Sequence, residues 1–171
     1  MTMSTLAAPA GMLVFAFTMV YAGFTDLTTM KIPNRPLLLF LLAYGVLAPL
    51  AGFTFFEIGW SAAVAAGVLV VTFIFFALGW IGGGDAKLAA VTVLWFGADH
   101  TAAYLIYTAL LGGVFTLGLL QFRTLTLPVW LASRSWVARL HLQGSGVPYG
   151  VTMALAALVV FPQTRWMTAI F

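Results

Sequence analysis

Long apolar runs alternate along this chain with short polar breaks, and the breaks carry nearly all of its charge. The first run, Leu6 to Phe24, is long enough to cross roughly 30 Å of hydrocarbon as a helix rising about 1.5 Å per residue. No basic region precedes it, so a retained span is expected rather than a cleaved signal. It closes at Asp26, and Leu27–Pro36 follows as a polar loop whose prolines end one helix and start the next. The second run is Leu37 to Phe56, ended by Glu57, and the third is Ile58 to Ile81. Ala62, Ala63, Ala66 and Gly67 lay small residues along that third helix, a pattern suited to close helix packing. Leu88 to Phe122 is too long for one span, and Asp99-His100 divides it into a short element to Ala98 and a full one from Thr101. A last run, Val147 to Phe161, opens on Pro148-Tyr149-Gly150.

Between the third and fourth runs stands Gly82-Gly83-Gly84-Asp85-Ala86-Lys87. A carboxylate at the middle of a spanning helix costs about 2.5 to 3.5 kcal/mol, so an acid kept at a membrane edge marks a functional site. Three glycines remove side chains, permit positive φ and let another backbone approach the acid. The plainer reading is a flexible turn with Asp85 as an ordinary N-cap. The eleven residues from Leu88 to Ala98 rise only about 16 Å, so this helix must start further back, in the glycines, to cross. That places Asp85 below the headgroups.

Composition removes whole classes. With 63% hydrophobic and 6% charged residues, the chain lacks the polar surface to cover a soluble globule. Continuous runs favour helices over a barrel, whose strands alternate with period two. The expectation is an all-α polytopic membrane protein, one domain over residues 1–171 with six transmembrane helices. The absence of cysteine excludes disulfides, cysteine-ligated metal and thiol catalysis. Seven basic residues are too few and too scattered for a nucleic-acid surface. They set topology instead. Lys31, Arg35, Lys87, Arg123, Arg134 and Arg139 fall on one face against Arg165 on the other, so the first face is cytoplasmic and both termini point outward. The Arg-rich stretch from Gln121 to Gly146, with Trp130 and Trp136, suits the lipid interface, although its helical wheel is not clean.

In this topology Asp26 and Asp85 share the cytoplasmic face, while Glu57 and Asp99 fall opposite and read as helix N-caps. Two carboxyls held close cannot both ionise cheaply, so they share a proton and offer a general base and a general acid at once. That is the requirement of an aspartyl peptidase. His100 and His141 lie on opposite faces, which rules out a bis-His metal site and leaves no histidine partner for a serine triad. No metal or cofactor is expected. Lys87, two residues from Asp85, reads either as an electrostatic tuner or as a positive-inside anchor.

Gly82-x-Gly84-Asp85 followed by Ala86-Lys87-Leu88 resembles the GxGD signature of membrane aspartyl peptidases, in the form found in type IV prepilin peptidases. Asp26 with Ile32-Pro33-Asn34 resembles that family's first catalytic aspartate, and Val147-Pro148-Tyr149-Gly150 the start of its last helix. The resemblance implies Asp26 and Asp85 as the catalytic pair, with Gly82, Gly84 and Lys87 supporting the motif. It implies a prepilin or pseudopilin substrate, with a basic leader in the cytoplasm and an apolar helix in lipid, cut after a glycine at the inner-membrane boundary. The short Asp26–Leu37 interval leaves no room for the cysteine-bearing region of bifunctional members. The chain is therefore most similar to the short peptidase-only enzymes of tight-adherence (Flp) pilus systems, without N-methyltransferase activity. A small proton- or cation-coupled transporter is the alternative from another class, and a structural subunit of a secretion platform is a third.

Overall fold

The structure, a computed structural model, describes residues 3–168. The expectation for the two chain ends concerns positions that lie outside the described residues. The order is α1 (Met3–Thr29), α2 (Asn34–Leu50), α3 (Phe55–Ala77), α4 (Gly83–Phe122), the short α5 (Val129–Ala132) and α6 (Ser135–His141), α7 (Tyr149–Val160), a 3-10 turn (Phe161–Gln163) and α8 (Arg165–Thr168). By length and composition α1, α3 and α4 are apolar enough to cross a membrane, with α2 and the segment from Tyr149 to Gln163 as shorter apolar helices. The chain is an all-helical polytopic membrane protein.

Several boundaries differ from those read off the chain. Asp26 does not close α1: the helix runs one more turn, because nothing between Asp26 and Thr29 breaks it. The second helix starts at Asn34 and ends at Leu50, since Pro36 is tolerated in a first turn and Gly52 reverses the chain at φ 85°. Glu57 is not the cap of α3. Thr54 is, and Glu57 is the reciprocal partner three residues on, accepting from the Thr54 N–H at 2.7 Å.

The division of the long apolar stretch falls at Gly97, not at Asp99-His100. Gly97 has φ 70° and ψ −176°, a region essentially reserved for glycine, and it folds α4 into two legs. Phe96 and Tyr104 show the fold-back: their ring centroids are 5.2 Å apart, whereas eight residues along a straight helix separate by about 12 Å. Thr101 donates to the Gly97 carbonyl at 2.7 Å, and Asp99 is exposed with no capping bond among the described residues. The first leg does start in the glycines, at Gly83.

The buried core runs along the bundle, from Leu37, Leu88 and Ala22 near the acids to a group of aromatic rings at the opposite end. Phe40 stacks on Trp95 at 4.7 Å, Phe15 on Phe161 at 4.1 Å, and Trp166 closes the group, its indole N–H donating to the Trp95 carbonyl at 3.0 Å. Trp166 reaches this place only because Gly11 of α1 has no side chain. At that same end Arg165 pairs with Glu57 and donates to the Gly52 carbonyl at 3.0 Å, tying α8 to the α2–α3 turn. On α3 the expected packing stripe points the wrong way: Ala62, Ala63, Ala66 and Gly67 are exposed, while Ser61 and Ala65 are buried. Helix α3 packs mainly on α4, and the rest of its apolar surface faces outward, as lipid requires.

Candidate active site

Both acids stand at helix ends for local reasons. Asp26 lies in the last full turn of α1, is only 5% exposed, and accepts a hydrogen bond from the Gly150 N–H at 2.7 Å. Gly150 is the second residue of α7, so this carboxylate occupies the N-terminal end of a helix, where free N–H groups and the helix dipole favour an anion. The contact is close. A Cβ on Gly150 would sit 2.8 Å from Oδ2 of Asp26, and one turn earlier on α1 a Cβ on Gly23 would sit 3.2 Å from Ala154 Cβ of α7.

Asp85 is the third residue of α4 and half-buried, and its Oδ2 accepts from the Gly82 N–H at 3.3 Å. The glycines before it serve close approach on three sides. Cβ atoms built at Gly82, Gly83 and Gly84 would lie 3.0 Å from Asp85 Oδ2, 3.2 Å from the Phe76 ring and 3.1 Å from Ile32 Cβ. None of the three has positive φ, contrary to the conformational role expected of them; Gly79, upstream, takes the turn at φ 76°.

The two acids line one open cavity of about 310 Å³, together with Met30, Lys31, Ile32 and Gly82 to Gly84. A space of that size holds several waters beside the two carboxyl groups. Lys87 does not turn toward Asp85; its ammonium donates to Asn34 Oδ1 at 3.1 Å. The histidines sit at opposite ends. His141 approaches the Leu125 carbonyl at 2.8 Å near the acids' end, whereas His100 lines a separate cavity with Glu57, Asp99 and Arg165.

The Arg-rich stretch binds the chain itself. Arg123 donates to the carbonyls of Leu140 (2.8 Å), Ser145 (2.8 Å) and Gly146 (2.9 Å), and to the Ser145 hydroxyl at 2.8 Å. Arg139 donates to the Thr28 carbonyl at 2.9 Å, two residues beyond Asp26. These bonds fold the connection that delivers Gly150 to Asp26. In the sequence Gly150 stands only at the start of a helix, although Pro148 just before it signals a helix N-terminus and hence an anion site.

The profile of the type IV leader peptidase family matches residues 13–117, well over half of the chain and including both acids. The chain belongs to that family. This leader peptidase is thus a hydrolase of prepilin-type substrates and a multi-pass membrane protein. No curated protein and no solved structure matches it.

Proposed function

We propose that this leader peptidase is an aspartyl endopeptidase in which Asp26 and Asp85 activate one water between them. The observation that carries the reading is their shared cavity at one end of the bundle, brought together from α1 and α4. One carboxylate takes a proton from the water as its oxygen attacks the scissile carbonyl. The other, protonated, donates to the carbonyl oxygen to give a gem-diol; the C–N bond then breaks as the proton taken from the water passes to the leaving nitrogen and a gem-diol hydroxyl returns its proton to the second carboxylate. The proton belongs to the pair, so neither residue is assigned a fixed role. Gly82 and Gly84 make room for the acid and the loop beside it.

The substrate is a prepilin or pseudopilin of a tight-adherence system, its basic leader entering the cavity from the cytoplasm and its apolar helix remaining in the bacterial inner membrane. In this reading the chain crosses six times with both termini outside and the cavity opens to the cytoplasm, as the distribution of basic residues favours, and no N-methyltransferase activity is expected. A transporter reading asks for acids near the bilayer midplane, and both acids stand in terminal turns instead.

Asp26→Asn and Asp85→Asn are the test. Each variant inserts in the membrane at wild-type level and loses cleavage of a co-expressed prepilin. Full processing by either variant ends the dyad reading.

A further inference from the structure

The loop between α1 and α2 crosses the acid cavity and is attached at each end. At its start Met30 takes φ 53°, unusual for a residue with a side chain, and its N–H donates to the Asp26 carbonyl at 2.8 Å. In its middle Ile32 fills the notch left by Gly84, whose missing Cβ would be 3.1 Å from Ile32 Cβ. At its far end α2 begins without a side-chain cap, and the Asn34 amide oxygen is committed across the loop to Lys87 of α4 at 3.1 Å. Met30, Lys31 and Ile32 all line the cavity.

We infer that residues 30–34 form a strap latched by the Asn34–Lys87 hydrogen bond, and that Asn34 and Lys87 are positioning residues that hold the end of α1 against the start of α4. Asp26 is carried by the helix leading into the strap and Asp85 by the helix that carries the latch. The two attachments across the gap, Ile32 on Gly84 and Asn34 on Lys87, therefore fix how far apart the carboxyls stand. Lys87 works through the bond it donates, and its charge beside Asp85 is incidental. This inference rests on the aspartyl reading above.

The test separates latch from charge. Asn34→Ala breaks the bond and leaves the lysine charge in place, Lys87→Ala removes both, and Asn34→Asp keeps an acceptor. With the purified, reconstituted peptidase and a prepilin substrate, Asn34→Ala and Lys87→Ala each lower kcat about tenfold with KM nearly unchanged, the loss expected of a small misplacement. The double variant is no worse than the poorer single one, as coupled partners require, and Asn34→Asp recovers most of the loss. Wild-type kcat in Asn34→Ala beside an impaired Lys87→Ala overturns the latch in favour of charge. A second measurement needs no activity. The chain has no native cysteine, so spin labels at Lys31→Cys and Asp99→Cys report the strap against the far end of α4's first leg, just past the Gly97 break. Their distance distribution broadens in Asn34→Ala and narrows again in Asn34→Asp; an unchanged distribution overturns the latch. Broadening in a protein whose wild type cleaves no prepilin supports the latch and faults the peptidase reading alone.

Discussion

A methyl group at position 150 would lie 2.8 Å from Oδ2 of Asp26, inside any normal contact, so the carboxylate must rotate away and give up its hydrogen bond. Misplacing a reacting group by about 1 Å costs on the order of 100-fold in rate. Gly150→Ala is accordingly expected to insert normally and to lose prepilin cleavage by about that factor, read as kcat/KM in a reconstituted assay. The two carboxyls make a second expectation at this scale. A pair that works with one proton loses activity when both groups are protonated and again when both are ionised, so kcat/KM follows a bell-shaped pH profile. Its limbs belong to the pair. A flat profile across the acid side argues against carboxyl catalysis.

Among the elements, α4 depends most on a single residue. Its two legs meet at Gly97 in a conformation that costs a residue with a Cβ about 1–3 kcal/mol, and the Ser61 hydroxyl stands 3.3 Å from where that Cβ would be. Gly97→Ala should lower unfolding stability in detergent by about that amount, measured by denaturant titration. The effect reaches the site because the first leg carries Asp85. The connection from α4 to α7 has a comparable keystone in Arg123, whose guanidinium satisfies three carbonyls and a hydroxyl. Hydrogen bonds to a charged group contribute about 1.5–3 kcal/mol each. Arg123→Ala is expected to open residues 124–146 to limited proteolysis and to weaken cleavage, although Arg123 does not line the acid cavity.

For the whole molecule, the division of labour runs along the bundle. One end holds stacked aromatic rings with an ion pair beyond them, and the other holds glycines, short contacts and two acids around open space. A rigid far end lets the near end keep a cavity without collapsing, since its helices are already fixed in angle and depth. The proposed orientation makes a direct expectation. Single cysteines at Lys31 or Gln143 should react with a membrane-impermeant thiol reagent only after the cells are permeabilised, and cysteines at Asp99 or Gln163 should react in intact cells. Labelling of positions 31 and 99 from the same side would break the six-crossing topology.

The apolar runs alone determined the membrane class and helical architecture, because long uncharged segments have one stable environment and one way to satisfy their backbone there. The GxGD stretch marked Asp85 as a candidate, because a carboxylate near lipid is rarely idle, and the structure sets Asp26 on the same cavity. Packing settled what depends on approach between segments distant in the chain. Gly150 had to meet Asp26 across 124 positions and Lys87 had to find Asn34 across 53. The outward turn of Ala62 and Ala66, and the reversal at Gly97 rather than at the charged pair beyond it, were decided in the same way. Hydropathy records which residues leave water, but not which neighbour each one meets, and these last features are set by neighbours.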